Sequence, residues 1–79
     1  MSLLRELLDE EGSDVICKTL LDAAAGTAKR RIDLNRFEVI IDAEKENVEI
    51  ANILEAAETE RMSLSEFRAA LEERLSKLV

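Results

Sequence analysis

The sequence has no histidine, tryptophan, tyrosine or proline, and it contains one cysteine, two glycines and two phenylalanines. Without histidine, the chain has no imidazole for acid–base catalysis or metal ligation. One cysteine cannot form a disulfide within the chain, and two isolated glycines do not make a phosphate-binding loop. No apolar run approaches the roughly 20 residues of a membrane span, and no signal-peptide pattern is present. We therefore expect no catalytic, metal or cofactor residues, and no membrane partner.

The composition is that of a small, acidic, folded chain. Its 79 residues are 47% hydrophobic and 37% charged, with a formal net charge of −7. This length fits a single domain over residues 1–79, and its leucine, alanine and glutamate content without proline favours helix. One core in fewer than about 80 residues rarely supplies more than ~3–5 kcal/mol of stability, so we expect the chain to self-associate as a homodimer. We expect the protein to be cytoplasmic.

Serine caps and leucine spacing predict the first two helices. Leu3 and Leu7 begin a stripe at helical spacing, and Ser2 is suited to cap a helix over about 2–11. Ser13 is suited to cap a second helix over about 14–29, where apolar residues recur at steps of four. Cys17 lies on the apolar face of this second helix, and we expect it to be a buried structural residue, since free cysteine packs as a small hydrophobe.

The middle of the chain is ambiguous over residues 34–41. Leu34, Phe37 and Ile41 share one face of a helix, whereas Phe37, Val39 and Ile41 alternate as in a strand. Asp42 is a good N-cap, and an apolar helical face predicts a helix over about 43–60. The residues of that face are Ile50, Ile53, Leu54 and Ala57.

The last helix has the clearest local signal. Ser63 and Glu66 form a capping box, and Met62 and Phe67 occupy the positions of a hydrophobic staple, which predicts a helix over about 64–78. The predicted fold class is therefore all-α: a small bundle of about four short helices, with 34–41 a short helix or a strand.

Residues from Arg36 onward resemble a ribbon–helix–helix DNA-binding domain. The alternating stretch 36–41 is similar to the ribbon, and the stretches 56–61 and 63–71 are similar to the turn and second helix of that family. The resemblance implies a homodimer whose paired strands enter the major groove, and hence a DNA-binding regulator or antitoxin.

The charge distribution points to a protein partner instead. Residues 37–60 carry eight acidic and one basic side chain, which disfavours nucleic acid and suits a basic partner. The predicted function is a protein-binding module: an adapter, accessory subunit or regulator. An acidic inhibitor or immunity protein that masks a basic enzyme is a further alternative. The predicted partner-binding residues come from an apolar stripe, the acidic run and a basic patch: Leu64, Phe67, Leu71, Leu75, Glu49, Glu55, Arg30 and Arg31.

Overall fold

The structure, a computed structural model, describes residues 2–54 and 58–78. Within these ranges the chain forms three helices and four strands. In chain order the elements are α1 (Leu3–Glu11), α2 (Asp14–Ala25), β1 (Arg30–Asp33), β2 (Phe37–Asp42), β3 (Asn47–Asn52), β4 (Thr59–Ser63) and α3 (Leu64–Leu78). The strands form one antiparallel sheet in the order β1-β2-β3-β4. The predicted all-α helical bundle is therefore wrong, and the fold is α+β.

Each helix begins where a serine side chain caps it. The hydroxyl oxygens of Ser2, Ser13 and Ser63 accept hydrogen bonds from backbone N–H groups three residues later, at 3.1–3.3 Å. α3 occupies the predicted range, whereas α2 ends at Ala25 rather than near residue 29. Gly26 follows α2, and the chain then turns into β1.

The helix predicted over 43–60 is wrong. Val48 and Ile50 point into the core at alternate positions of β3, and β3 pairs with both β2 and β4. These two sets of cross-strand bonds outweigh the helix propensity of the local glutamates and alanines. The predicted helical face is split: Ile50 is buried, Ile53 and Leu54 are exposed, and Ala57 lies outside the described residues.

The ambiguous stretch 34–41 forms a strand from Phe37 onward. Phe37, Val39 and Ile41 are all buried on one side of β2, as the alternating interpretation requires. The backbone N–H of Leu34 donates to the carbonyl of Phe37 at 2.8 Å and closes the turn between β1 and β2.

The chain does not adopt the fold that the ribbon–helix–helix resemblance implies. That family needs a strand followed by two helices, whereas the described residues from Arg36 onward form three strands and one helix. The segment similar to the family's turn ends in β4, which pairs with β3.

The three helices and one face of the sheet enclose the core. Cys17 is fully buried there, as predicted. None of the helices in the described ranges is long and apolar enough to cross a membrane. The buried apolar residues are Leu3, Leu7, Cys17, Leu20, Ala23, Ala24, Phe37, Val39, Ile41, Val48, Ile50, Phe67 and Leu71.

Candidate partner-binding surface

The second face of the sheet has no helix from the described chain packed on it. Residues that alternate with the buried positions point to this side, as is usual when one face of an antiparallel sheet meets solvent. We call this surface the open face. Its members are Arg31, Asp33, Glu38, Ile40, Asp42, Asn47, Glu49, Ala51, Thr59, Arg61 and Ser63.

The strand register aligns one row of side chains across the whole open face. Arg31 on β1 lies opposite Ile40 on β2, Ile40 lies opposite Glu49 on β3, and Glu49 lies opposite Arg61 on β4. Directly opposed side chains in an antiparallel pair have Cβ atoms about 4.5–5.5 Å apart. The row therefore presents an apolar side chain and a carboxylate between two guanidinium groups.

Ion pairs hold these side chains in place. Arg61 Nη2 lies 3.0 Å from Glu49 Oε2, and Arg31 Nη2 lies 2.8 Å from Glu38 Oε2. Arg31 Nε also contacts Asp33 Oδ1 at 3.3 Å. The arginine side chains are 63% and 71% exposed, so each pair contributes at most about 1 kcal/mol to stability. Their main effect is to orient the charged groups of the open face.

A depression of about 280 Å³ lies on the open face along the row. Ile40 lines it as the apolar residue, and Lys45, from the turn between β2 and β3, also lines it. Asp42 Oδ1 accepts a hydrogen bond from the backbone N–H of Lys45 at 3.2 Å, which orders that turn. The remaining lining residues are polar or charged: Lys29, Asp42, Asn47, Glu49 and Arg61.

The structure brings together only some of the predicted partner-binding residues. Arg31 and Glu49 lie in the same row of the open face, separated by Ile40. Arg30 is exposed at the start of β1 but lies opposite Ile41, so it belongs to the helix side of the sheet. Glu55 lies outside the described residues.

The predicted apolar stripe on α3 packs inside the protein. Phe67 and Leu71 have no exposed surface, and Leu64 and Leu75 pack partly buried against the same core. These side chains stabilise the contact of α3 with α2 and the sheet. The stripe therefore offers little apolar surface to a partner.

The predicted partner-binding residues did not include Ile40 or Arg61. Ile40 stands between Val39 and Ile41, and a run of three β-branched residues hides which of them points outward. The alternation through Phe37 was the available signal, because it places every second residue on the other face. The place of Arg61 on the open face cannot be predicted from the sequence, since it depends on the pairing of β4 with β3.

Comparison with known proteins adds no functional assignment: no family model, curated protein or solved structure matches the chain. Within residues 2–54 and 58–78, no cluster of three or more cysteine, histidine, aspartate or glutamate side chains is placed to hold a metal ion.

Proposed function

We propose that the protein is a small acidic binding module whose open face docks a protein partner with a basic surface. The observation that supports this most directly is the row across the sheet, where Ile40 lies between Arg31 and Glu49. An apolar side chain surrounded by oriented charges provides both a contact that excludes water and groups that select a partner.

The charge of the open face favours a protein over a nucleic acid. Its strand residues carry two arginines and four carboxylates, and Lys29 and Lys45 line the depression around Ile40, so positive and negative side chains balance across this surface. A phosphate backbone would therefore meet no net positive field there. No aromatic side chain lies on the open face as the described strands form it, so bases would have no ring on which to stack.

The central strands define the chemistry that the partner must supply. Asp42 and Glu49 flank Ile40 on the open face, so the matching surface carries an apolar side chain between cationic groups. A basic enzyme masked by this acidic module is one form that such a partner takes. The buried free thiol of Cys17 suits a reducing compartment, and we propose the cytoplasm as its location.

Site-specific crosslinking in cells tests the proposal. A photoreactive residue replaces Ile40 on the open face, and in a control replaces Glu72, which is exposed on α3. We expect a discrete adduct with a second, basic protein from position 40 but not from position 72. Equal adducts from both positions, or no adduct from position 40, would refute docking on the open face.

Charge reversal tests the chemistry of the contact. The double variant Asp42→Lys/Glu49→Lys places cations beside Ile40, whereas Glu72→Lys/Glu73→Lys makes the same change in net charge on α3. Because the reversed carboxylates would face a basic partner, only the first variant is expected to lose the adduct. Equal loss in both would show that net charge, and not this surface, governs association.

A further inference from the structure

The strand β1 forms a free edge of the sheet. Among the described elements it has substantial contact only with β2, and three of its four residues are exposed. An edge strand presents unpaired backbone N–H and C=O groups to which another strand can hydrogen-bond. A second strand can pair with β1 only where its own backbone groups meet those that point outward.

The turn before β2 identifies the outward groups. Leu34 donates its N–H to the carbonyl of Phe37 at 2.8 Å, so these two residues form a hydrogen-bonded pair. Bonded and non-bonded pairs alternate along an antiparallel ladder. Ile32 therefore directs its backbone groups to β2, whereas Arg31 and Asp33 direct theirs to the free edge.

Charge then selects one register for two copies that pair along this edge. Outward groups must meet outward groups, so Arg31 faces Arg31, Asp33 faces Asp33, or Arg31 faces Asp33. Like charges directly opposite each other are destabilising, and opposite charges stabilise a cross-strand pair. Among the residues of β1, only the mixed register is favourable. Arg31, which already contacts Asp33 and Glu38 of its own chain, then also faces a carboxylate of the second copy.

We propose that a second copy of this chain pairs with β1 in antiparallel orientation, with Arg31 opposite the partner's Asp33 and Asp33 opposite the partner's Arg31. The two copies of Ile32 then face each other on the helix side, where Ile32 is already partly buried against the core. The result is a twofold-symmetric dimer with one continuous eight-stranded sheet, which follows from joining two four-stranded sheets.

The flanks of β1 are also complementary in this register. Arg30 lies opposite the partner's Leu34, at the turn that leads into β2. In each copy that turn is covered by the acidic end of α1: Glu11 Oε1 accepts from the N–H of Asn35 at 2.9 Å, and Glu10 forms an ion pair with Arg36. The basic start of one β1 therefore meets the acidic end of the other copy's α1.

This dimer uses Arg31 and Asp33 at the outer edge of the open face and leaves Ile40, Asp42 and Glu49 uncovered, so its failure and the failure of the proposed function are separable. Crosslinking at position 40 reports on a different protein, whereas the edge contact is measured with the purified chain alone.

Complementary charge variants test the register. In Asp33→Arg both outward side chains are arginine, and in Arg31→Asp both are aspartate. Because every register then opposes like charges, each variant alone is expected to dimerise about tenfold or more weakly than the native chain in sedimentation velocity. An equimolar mixture of the two variants restores opposite charges at every pair, and we expect it to form a heterodimer of native affinity.

Three outcomes would overturn the proposal: a native chain that stays monomeric at millimolar concentration, a native-strength dimer of Asp33→Arg alone, or a mixture that does not associate. Amide hydrogen exchange in the native chain gives a second measurement that needs no variant. The N–H groups of Arg31 and Asp33 are expected to become protected as concentration rises, while that of Ile32 is protected throughout. Exchange at Arg31 and Asp33 that does not depend on concentration would contradict the edge pairing.

Discussion

Glu60 on β4 caps the first helix of the chain. Its Oε1 accepts hydrogen bonds from the backbone N–H of Leu4 at 3.2 Å and from the hydroxyl of Ser2 at 3.0 Å. A carboxylate at this position satisfies a free helix N–H and interacts favourably with the positive end of the helix dipole. One side chain thereby joins α1 to the edge of the sheet opposite β1.

Removal of this cap should loosen α1. We expect Glu60→Ala to lower the free energy of unfolding by about 1–2 kcal/mol in urea denaturation. The variant removes the acceptor of the Leu4 N–H and the favourable interaction with the helix dipole. Glu60→Gln keeps the acceptor without the charge and should lose less. The control is Glu72→Ala, an exposed position on α3. Equal stability of the Glu60→Ala and Glu72→Ala variants would contradict the capping role.

The two glycines should respond in opposite ways to alanine. A Cβ at Gly12 would clash with the carbonyl oxygen of Leu8, whereas a Cβ at Gly26 would meet the Ala23 carbonyl oxygen at an ordinary 3.4 Å. We expect Gly12→Ala to cost about 2–3 kcal/mol, and Gly26→Ala to be neutral or to stabilise by up to about 1 kcal/mol. Thermal unfolding of both variants checks this. A Gly12→Ala variant as stable as Gly26→Ala would show that the end of α1 adjusts freely.

Two leucines on α3 separate core packing from surface exposure. Leu71 is fully buried and Leu78 is 44% exposed. Truncation of a buried leucine removes its contacts and leaves a cavity, so Leu71→Ala should cost about 2–5 kcal/mol. Leu78→Ala should change stability by no more than about 0.5 kcal/mol. Chemical denaturation measures both, and a small effect at Leu71 would mean that the stripe on α3 does not hold the core together.

The thiol of Cys17 should make the protein less stable at alkaline pH. Burial raises the pKa of the Cys17 thiol; Asp14 acts in the same direction and Arg74 opposes it. The unfolded chain therefore loses this proton at lower pH than the folded one. The contribution to stability is complete below the ordinary thiol pKa of about 8.5 and is lost as pH rises through the higher native value.

Cys17→Ala provides the comparison for this pH dependence. Its unfolding free energy should fall less between neutral and alkaline pH than that of the native chain. Identical pH profiles would show that the native thiol ionises as easily as the unfolded one. Slow reaction with a thiol reagent in the native state and fast reaction in urea would accompany the expected result.

The sequence by itself determined the local features of this protein. Ser2, Ser13 and Ser63 start the three helices because each cap bonds a backbone group three residues away, and Cys17 is buried because its helix has one apolar side. The alternation of apolar residues that begins at Phe37 indicates the strand β2. Such features depend on neighbours within one or two turns of chain, so they can be predicted from residue order.

Only the tertiary structure decided that residues 47–52 are a strand and that the open face exists. The segment around Ile50 has helical spacing and strand alternation at once, and the choice comes from hydrogen bonds to β2 and β4. The row that joins Arg31, Ile40 and Glu49 depends on the register of separate strands. Because each strand's partners lie elsewhere in the sequence, no local pattern encodes that register, and the energy of packing the whole sheet selects it.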